Sequence, residues 1–411
     1  MMRKRVFIAL ALVLILIMGT TCVSAKTVLT FWNGYTGPDR AVLESLVAEF
    51  NESQSEIEIV MDIQPWDSLF QKLLPSLVIG SGPDIAAFAS ENIPQYAAAG
   101  VLSPVDDFYA GDYLDVDKLV PAAVENGIFD GKHYGVPMDF ATLLMYYNKD
   151  HFAAAGLPEE PPKNWDEFKE YLLKLTNAPE QYGLAIAVKE TIPMWPILLW
   201  GNGGGILTRD GEVLIDSAET KEAMKFWADL VMNHKVSPIG LTGAEADKLF
   251  QSGKASIEIV GPWMTNGFTE AGLNYDVAPV PEGPAGPVTL GTSVNLVLSK
   301  QAGEDSQKRE AAFKFYAFWN SPETQVKWAL GSGFPPTRTD LLDHPEIVEH
   351  PWVPKFAAVA PYAQFYLQGT EKFREIETSI FVPALEAILY GVQDVDTALD
   401  EAGVKLRQLV K

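Results

Sequence analysis

The chain has 411 residues, with 31 basic against 54 acidic side chains for a net charge of −23, 47% hydrophobic residues and a single cysteine. A surface this acidic repels nucleic acid and anionic lipid head groups, and one thiol closes no internal disulfide. The length exceeds what one hydrophobic core usually serves, so two lobes are expected.

Met1 to Arg5 is basic, Val6 to Met18 is an unbroken apolar run, and Val23, Ser24 and Ala25 form a small-residue cleavage motif. This is the pattern of a secretory signal peptide over residues 1–25, because the run falls short of the ~20 residues that cross a bilayer. Lipid attachment at Cys22 is the competing outcome and would hold the protein at the cell surface. Gly19, Thr20 and Thr21 lack the leucine and small residue that lipid attachment expects. Cleavage removes Arg3, Lys4, Arg5 and the cysteine, which leaves a net charge of −26 and no thiol, as suits an oxidising compartment. No later segment is long and apolar enough to span a membrane, and no internal repeat is evident.

Val28 to Trp32 reads as a strand that ends in a loop from Asn33 to Gly37. Pro38 and Asp39 then open a helix with Val42, Leu43, Leu46, Val47 and Phe50 on one face. Ile57, Ile59 and Met61 alternate as a second strand, and a polar corner from Gln64 to Asp67 leads into a helix through Leu69, Leu73 and Leu77. A third strand, Pro83 to Phe88, runs into Ser90, Glu91 and Asn92 and a short helix ended by Gly100. Strands alternating with helices build a parallel sheet covered on both faces, with ligands beyond the carboxyl ends of the strands. Asn33, Tyr35, Trp66, Asp67, Phe88, Glu91 and Asn92 fall at those ends.

Gly131 and Gly135 mark a turn, Pro137 denies the next strand one ladder donor, and Leu143 to Tyr147 is apolar enough for a strand buried on both faces. A polar break at Met138, Asp139 and Phe140 that does not turn the chain back suits a crossover between lobes. The alternative is one irregular strand with a bulge inside a single domain. Further on, Asn164 caps a helix, Tyr182 to Val188 reads as a strand, and Pro193 to Pro196 breaks it. A helix from Glu219 carries Ala223, Phe226, Trp227 and Leu230 on one face, and a buried strand from Ala255 to Val260 ends in Gly261, Pro262 and Trp263. The chain is expected to recross near Gly291 into a strand from Val294 to Leu298, then a helix with Phe313, Tyr316, Trp319 and Trp328. Gly331 to Arg338 reads as a third crossover, and the tail, through Leu385, Ile388, Leu399 and Leu406, as helices of the second lobe.

Phe31-Trp32-Asn33-Gly34, Gly82-Pro83-Asp84-Ile85, Tyr96 to Gly100, Tyr146 to Asp150, Trp200 to Gly204, Gly261-Pro262-Trp263, Gly291-Thr292-Ser293 and Gly333 to Arg338 resemble, in order and spacing, the family 1 extracellular solute-binding proteins. These are the sugar-binding receptors of bacterial ABC importers, to which maltose-binding protein belongs. The resemblance implies a two-lobed α/β periplasmic-binding-protein fold joined by three crossovers, with residues 26–137 plus 292–332 in the first lobe and 138–291 plus 333–411 in the second. It implies a monomeric, periplasmic protein that closes on a mono- or oligosaccharide or polyol and delivers it to membrane permease subunits, without cofactor, metal or catalysis.

Carried over residue by residue, Asn33, Tyr35 and Thr36 match the loop that lines the cleft from the first lobe. Phe88, Glu91 and Asn92 match an aromatic followed by charged sugar ligands, with an amide here where maltose-binding protein has an arginine. Met138 and Asp139 match contacts at the first crossover, Thr292 and Ser293 those at the second, and Trp195 and Trp263 the aromatic wall of the second lobe. Trp66, Asp67, Phe334 and Arg338 complete the expected set. The stacking tryptophan of maltose-binding protein aligns near Thr378, so that contact is not reproduced.

The chemistry suits a sugar, whose hydroxyls want carboxylates and amides and whose C–H faces want aromatic rings. Plainer roles compete at several positions. Trp227, Trp319 and Trp328 have the spacing of core residues, and Glu91 could cap the helix after it. Asp139 could bind crossover amides, and Arg338 suits a structural salt bridge. His344, His350, Glu346 and Glu349 could hold a metal but read better as a solvated loop. Gly201 to Gly205 lacks a following Lys-Ser or Lys-Thr and is a turn. The chain has no Gly-x-Ser-x-Gly or His-Glu-x-x-His motif. The rival from another class is a glycoside hydrolase using Glu91 and Asp139, which would need one of the two protonated near neutral pH. A receptor feeding a chemotactic partner would use the same binding step.

Overall fold

The computed structural model describes residues 26–411; the expected signal peptide and Cys22 lie outside the described residues. In chain order the strands are β1 (Thr27–Asn33), β2 (Ile57–Ile63), β3 (Ile85–Ala89), β4 (Leu102–Ser103), β5 (Ile128–Phe129), β6 (Lys132–His133), β7 (Gly135–Thr142), β8 (Leu144–Asn148), β9 (Ile257–Val260), β10 (Tyr275–Ala278), β11 (Thr289–Ser299) and β12 (Ala363–Phe365). The first strands and helices follow the sequence pattern. Helix Arg40–Ser53 buries Leu43, Leu46, Val47 and Phe50, and helix Trp66–Val78 buries Leu69, Phe70 and Leu73. Each apolar stripe lies down on the sheet because its spacing matches the helical repeat.

β1 pairs in parallel with β2 over its whole length and with β3 at Phe31 and Trp32. The sheet is nevertheless mixed, because β11 runs antiparallel both to β3 and to β7. Its order is β12-β11-β3-β1-β2, with β4 and β7 also on β11. A separate three-stranded sheet, β10-β8-β9, is antiparallel throughout.

These sheets serve two principal cores. The first gathers Leu29, Phe31, Leu43, Phe50, Ile85, Val136, Met138, Leu296, Leu298, Phe315, Trp319 and Trp328. The second gathers Leu144, Tyr146, Phe168, Trp195, Trp227, Ile257, Phe268, Leu290, Phe356, Leu385 and Leu406. β11 passes from one to the other, with Leu290 in the second core and Leu296 in the first. β7 and β8 do the same: Ala141 packs in the first core and Leu143 in the second.

Three details differ from the sequence expectation. Met138, Asp139 and Phe140 are not a break but lie within β7, and the chain leaves the strand only at Leu143. The register slips between Val294 and Asn295 of β11, whose partners are Asp139 and Pro137, so Met138 is an extra residue in the strand. A bulge falls here because Pro137 has no N–H to give the ladder. The carbonyls released from the ladder are taken up by side chains: Trp319 Nε1 donates to Met138 O at 2.7 Å and Asn320 Nδ2 to Pro137 O at 2.9 Å. Tyr182 to Val188 is not a continuous strand but touches β9 and its approach through single bridges at Ala255 and Glu258. Gly331 to Arg338 stays with the first core, since Thr337 N donates to Gln325 Oε1 and Val120 N to Thr337 O. The third passage falls later, between Arg338 and Phe356.

Candidate ligand-binding cleft

β1 delivers the chain to Asn33, where Gly34 turns it beneath the indole of Trp66. A Cβ on Gly34 would lie 2.0 Å from Trp66 Cδ2, so only glycine allows the approach. Tyr35 then stands edge-on to Trp66 and Trp328, with ring centroids 5.6 and 5.7 Å away. Its hydroxyl donates a short hydrogen bond to Asp139 Oδ2, while Val294 N donates to Asp139 Oδ1 at 2.9 Å. Asp139 is only 2% exposed. Burial raises its carboxyl from the ordinary value to about 7, against the pull of those two hydrogen bonds. The Tyr35 hydroxyl is raised well above its ordinary range by burial and by the facing carboxylate. Both oxygens of Asp139 are therefore engaged inside the protein, tying the first loop to β11.

One residue earlier on β11, the chain borders a narrow cleft between the two cores, with a cavity volume of about 50 Å³. Ser90, Glu91, Pro94, Glu125, Asn126 and Ile128 line it from the side of the first core. Leu290, Gly291, Thr292 and Ser293 of β11 run along it, and Ile192, Pro193, Arg209, Phe365, Tyr366, Gln368 and Gly369 line it from the side of the second. A chain of polar contacts follows this wall. Asn295 Nδ2 donates to Ser90 Oγ at 2.7 Å, Ser90 Oγ meets Ser293 Oγ at 2.7 Å, Asn126 Nδ2 donates to Ser293 Oγ at 3.3 Å, and Gln368 Nε2 donates to Asn126 Oδ1 at 2.6 Å. The last of these spans the two sides. So do the Arg209–Glu125 ion pair, Arg374 Nε donating to Asn92 Oδ1 at 3.2 Å, and the Arg374 guanidinium 4.8 Å over the Phe70 ring.

Of the expected site residues, Glu91, Thr292 and Ser293 line the cleft. Asn33, Tyr35, Trp66, Asp139 and Phe334 gather around the first turn, with Asn33 Nδ2 buried and unpaired. Trp263 is half-buried and packs against both cores, 6.2 Å from the Phe334 ring. Gly261 makes its fold-back possible, since a Cβ there would lie 1.9 Å from Trp263 Cζ3. Thr36 and Asp67 are exposed. Asn92 is buried and accepts from Arg374.

The structure brings the remaining four neither to the cleft nor to the first turn. Phe88 is fully buried, edge-on to Tyr96 at 4.7 Å, and Met138 is fully buried at the bulge. Trp195 is 1% exposed and gives its Nε1 proton to Ala187 O at 3.1 Å. Arg338 is turned into Asp340 at 2.7 Å and the carbonyl of Asn320. Thr378 is exposed and bonds back to Arg374 O. His350 accepts from the amides of Trp352 and Val353, and no metal-ligand cluster occurs among the described residues.

The sequence reading missed Asn126, Arg209, Tyr366, Gln368 and the neighbouring Arg374 and Glu377. The signal the sequence offered near Tyr366 is the Gln368-Gly369-Thr370 turn; the structure shows that Leu367 and Gly369 after β12 have positive φ, at 50° and 82°.

Residues 45–355 match the family described as bacterial extracellular solute-binding protein. The chain belongs to this family. The binding protein is 29% identical over 362 residues to the maltotriose-binding protein of Pyrococcus abyssi, covering 83% of this chain and 73% of that one. It is 27% identical over 414 residues to the sn-glycerol-3-phosphate-binding periplasmic protein of Rhizobium meliloti, covering 92% of each. Among solved structures, an ABC transporter solute-binding protein of Thermotoga lettingae bound with alpha-D-tagatose superposes with a TM-score of 0.85 at 24% identity, covering 94% of this chain and all of that one. Identity that low speaks for the shared fold alone, here the two-lobed periplasmic-binding-protein architecture.

Proposed function

We propose that the protein captures a neutral carbohydrate between two lobes that close around it, and delivers it to the permease subunits of an ABC importer in the periplasm. The observation that carries this is the cleft itself: it is walled from both cores and runs along a strand that belongs to both. Carboxylate, amide and hydroxyl groups from Glu91, Asn126, Ser293, Tyr366 and Gln368 suit sugar hydroxyls, each holding more than one hydrogen bond. The lobes would pivot on β7, on β11 and on the passage between Arg338 and Phe356, and the contacts from Gln368, Arg209 and Arg374 are those of the closed form. A hydrolytic reading has less support, because Glu91 faces the cleft while Asp139 is buried with both oxygens occupied.

A thermal-shift panel of neutral sugars, polyols, sugar phosphates and amino acids tests the reading. A ligand at 100 times its dissociation constant stabilises by about 2.7 kcal/mol, which is readily seen. Scattering at saturation should show a smaller radius of gyration, because only a ligand that touches both lobes can shift the population toward the closed form. Stabilisation by amino acids or phosphates alone would sink the neutral-carbohydrate reading.

A further inference from the structure

β12 lies parallel to β11, with Ala363, Gln364 and Phe365 opposite Thr289, Leu290 and Gly291. The approach is close, since a Cβ on Gly291 would lie 3.0 Å from Phe365 Cε1. This register carries the next residue, Tyr366, toward Thr292, and both line the cleft. At Leu367 the chain turns through a φ of 50°, which leaves the leucine in the second core and returns Gln368 to the cleft. The Tyr366 ring is seated by aromatic contacts from the helical turns that follow. It stands edge-on to Phe373 with centroids 5.7 Å apart and tilts against Phe381 at 6.3 Å. Its hydroxyl has no hydrogen-bond partner, although the residue is only 7% exposed. Buried hydroxyls are nearly always paired, so a seated ring that strands its hydroxyl beside a cleft calls for a partner from outside the chain. The neighbouring donors are engaged already: Asn126 Nδ2 by Ser293, Gln368 Nε2 by Asn126, and Arg209 by Glu125.

We propose that Tyr366 is a specificity-determining residue, its hydroxyl reserved for an acceptor oxygen of the captured molecule, so that the lobes close fully only on a ligand that supplies one. On the carbohydrate reading, that oxygen is a sugar hydroxyl, ring or glycosidic oxygen. With the lobes apart, water serves as the acceptor. Closure on nothing strips that water away and leaves the donor stranded, whereas closure on a suitable oxygen replaces it. Burial, with the charges of Glu377 and of cleft-lining Glu91, raises the hydroxyl well above its ordinary range, so it keeps its proton and acts as a donor. Discrimination by such a group is strong, because a ligand without the acceptor does more than omit a contact. It leaves a buried donor unpaired.

This inference rests on the carbohydrate reading only for the kind of oxygen. Tyr316 supplies the control, because its hydroxyl is also unpartnered but lies in the first core. In the unliganded full chain, Tyr366→Phe and Tyr316→Phe should both melt at or slightly above wild type, since each loses a hydroxyl that bonds to nothing in the protein. Calorimetry with maltotriose, D-tagatose and sn-glycerol 3-phosphate then separates the two variants. Tyr366→Phe should weaken whichever of these wild type binds by about 5- to 150-fold, and Tyr316→Phe by less than about twofold. Equal affinity of Tyr366→Phe and wild type would overturn the proposal, as would unliganded Tyr366→Phe melting several degrees below wild type. If only glycerol 3-phosphate binds, the carbohydrate reading fails, while Tyr366 is still judged on that molecule. If none of the three binds, the unliganded melting curves alone decide whether the hydroxyl is free for a ligand.

Discussion

Asp139→Asn separates the cost of a buried charge from the worth of its hydrogen bonds. The wild-type carboxyl is raised from 3.8 to about 7 in the folded protein. A folded-state value above the unfolded one means that the folded chain keeps a proton the unfolded chain has lost. The stabilising effect is complete below pH 3.8 and is lost as pH rises through 7. Each pKa unit is worth 1.36 kcal/mol, so the charge costs the fold about 4 kcal/mol at pH 8.5 but only about 1–2 kcal/mol at pH 5. Asparagine carries no such burden. Its Oδ1 can still accept from Val294 N and its Nδ2 can donate to the Tyr35 oxygen, leaving the Tyr35 proton unmatched at a cost of about 1–3 kcal/mol. The variant should therefore be more stable than wild type at pH 8.5 by about 1–3 kcal/mol and close to neutral at pH 5, a swing of about 3 kcal/mol. Urea denaturation at the two pH values, read as midpoint and slope, measures it. A difference between variant and wild type that is the same at both pH values would show that Asp139 titrates normally, and the account of the Tyr35–Asp139–Val294 tie would fail.

Trp227→Ala should cost about 3–5 kcal/mol in the unliganded protein, because its ring is 1% exposed and boxed by Trp165, Phe168 and Phe226, whereas half-buried Trp263→Ala should cost less. Trp263→Ala should instead weaken sugar affinity by about 30- to 1,000-fold in calorimetry, and an effect within threefold would make Trp263 a packing residue. Arg338→Ala should lower the melting temperature, since a 5% exposed guanidinium leaves its ties to Asp340 and Asn320, while sugar affinity stays unchanged; a loss of affinity would return Arg338 to the site. Gly34→Ala should push the Trp66 indole off the turn at a cost of about 1–3 kcal/mol, visible as a changed tryptophan emission spectrum, and an unaltered spectrum would contradict the close approach.

The elements were legible because local spacing dictates them. The stripe Leu43, Leu46, Val47 and Phe50 fits one face of a helix, and the strand-helix-strand order of β1 and β2 predicts the parallel pairing seen. Pro137 announced an interrupted ladder, though not which residue would bulge. That depended on Trp319 and Asn320, roughly 180 residues away, arriving to satisfy the released carbonyls. The binding wall was less legible for the same reason. Ser90 meets Ser293, and Asn92 meets Arg374, across separations of 203 and 282 residues, and no local pattern encodes such pairings. Strand-end position nominated Phe88 alongside Glu91, and the family resemblance nominated Trp195, but position and alignment fix only where a backbone runs. Whether a side chain turns to the cleft or to the core is decided by its neighbours, and the apolar space beside Tyr96 and Phe70 takes Phe88 inward.

The buried acids follow a rule that composition alone obscures. Most of the acidic residues of so negative a chain are solvated and set only its long-range field. Asp39, Glu91, Asp139, Asp247, Glu258 and Glu377 are different, for desolvation raises the carboxyl of each, Asp39 and Asp247 to about 6 and Glu91, Asp139 and Glu377 to about 7. Asp139 ties the first turn to β11, and Glu91 lines the cleft. A fold free of other demands would replace such groups with apolar side chains of similar volume, as commonly stabilises buried ionic sites. Glu91 alone of these acids lines the cleft, and a group that is costly in the closed, empty form lowers its population until a ligand supplies the missing hydrogen bonds, as a closing receptor requires. The same strain that destabilises the closed form without sugar then becomes a difference in affinity between open and closed forms, which is the only quantity that can drive closure.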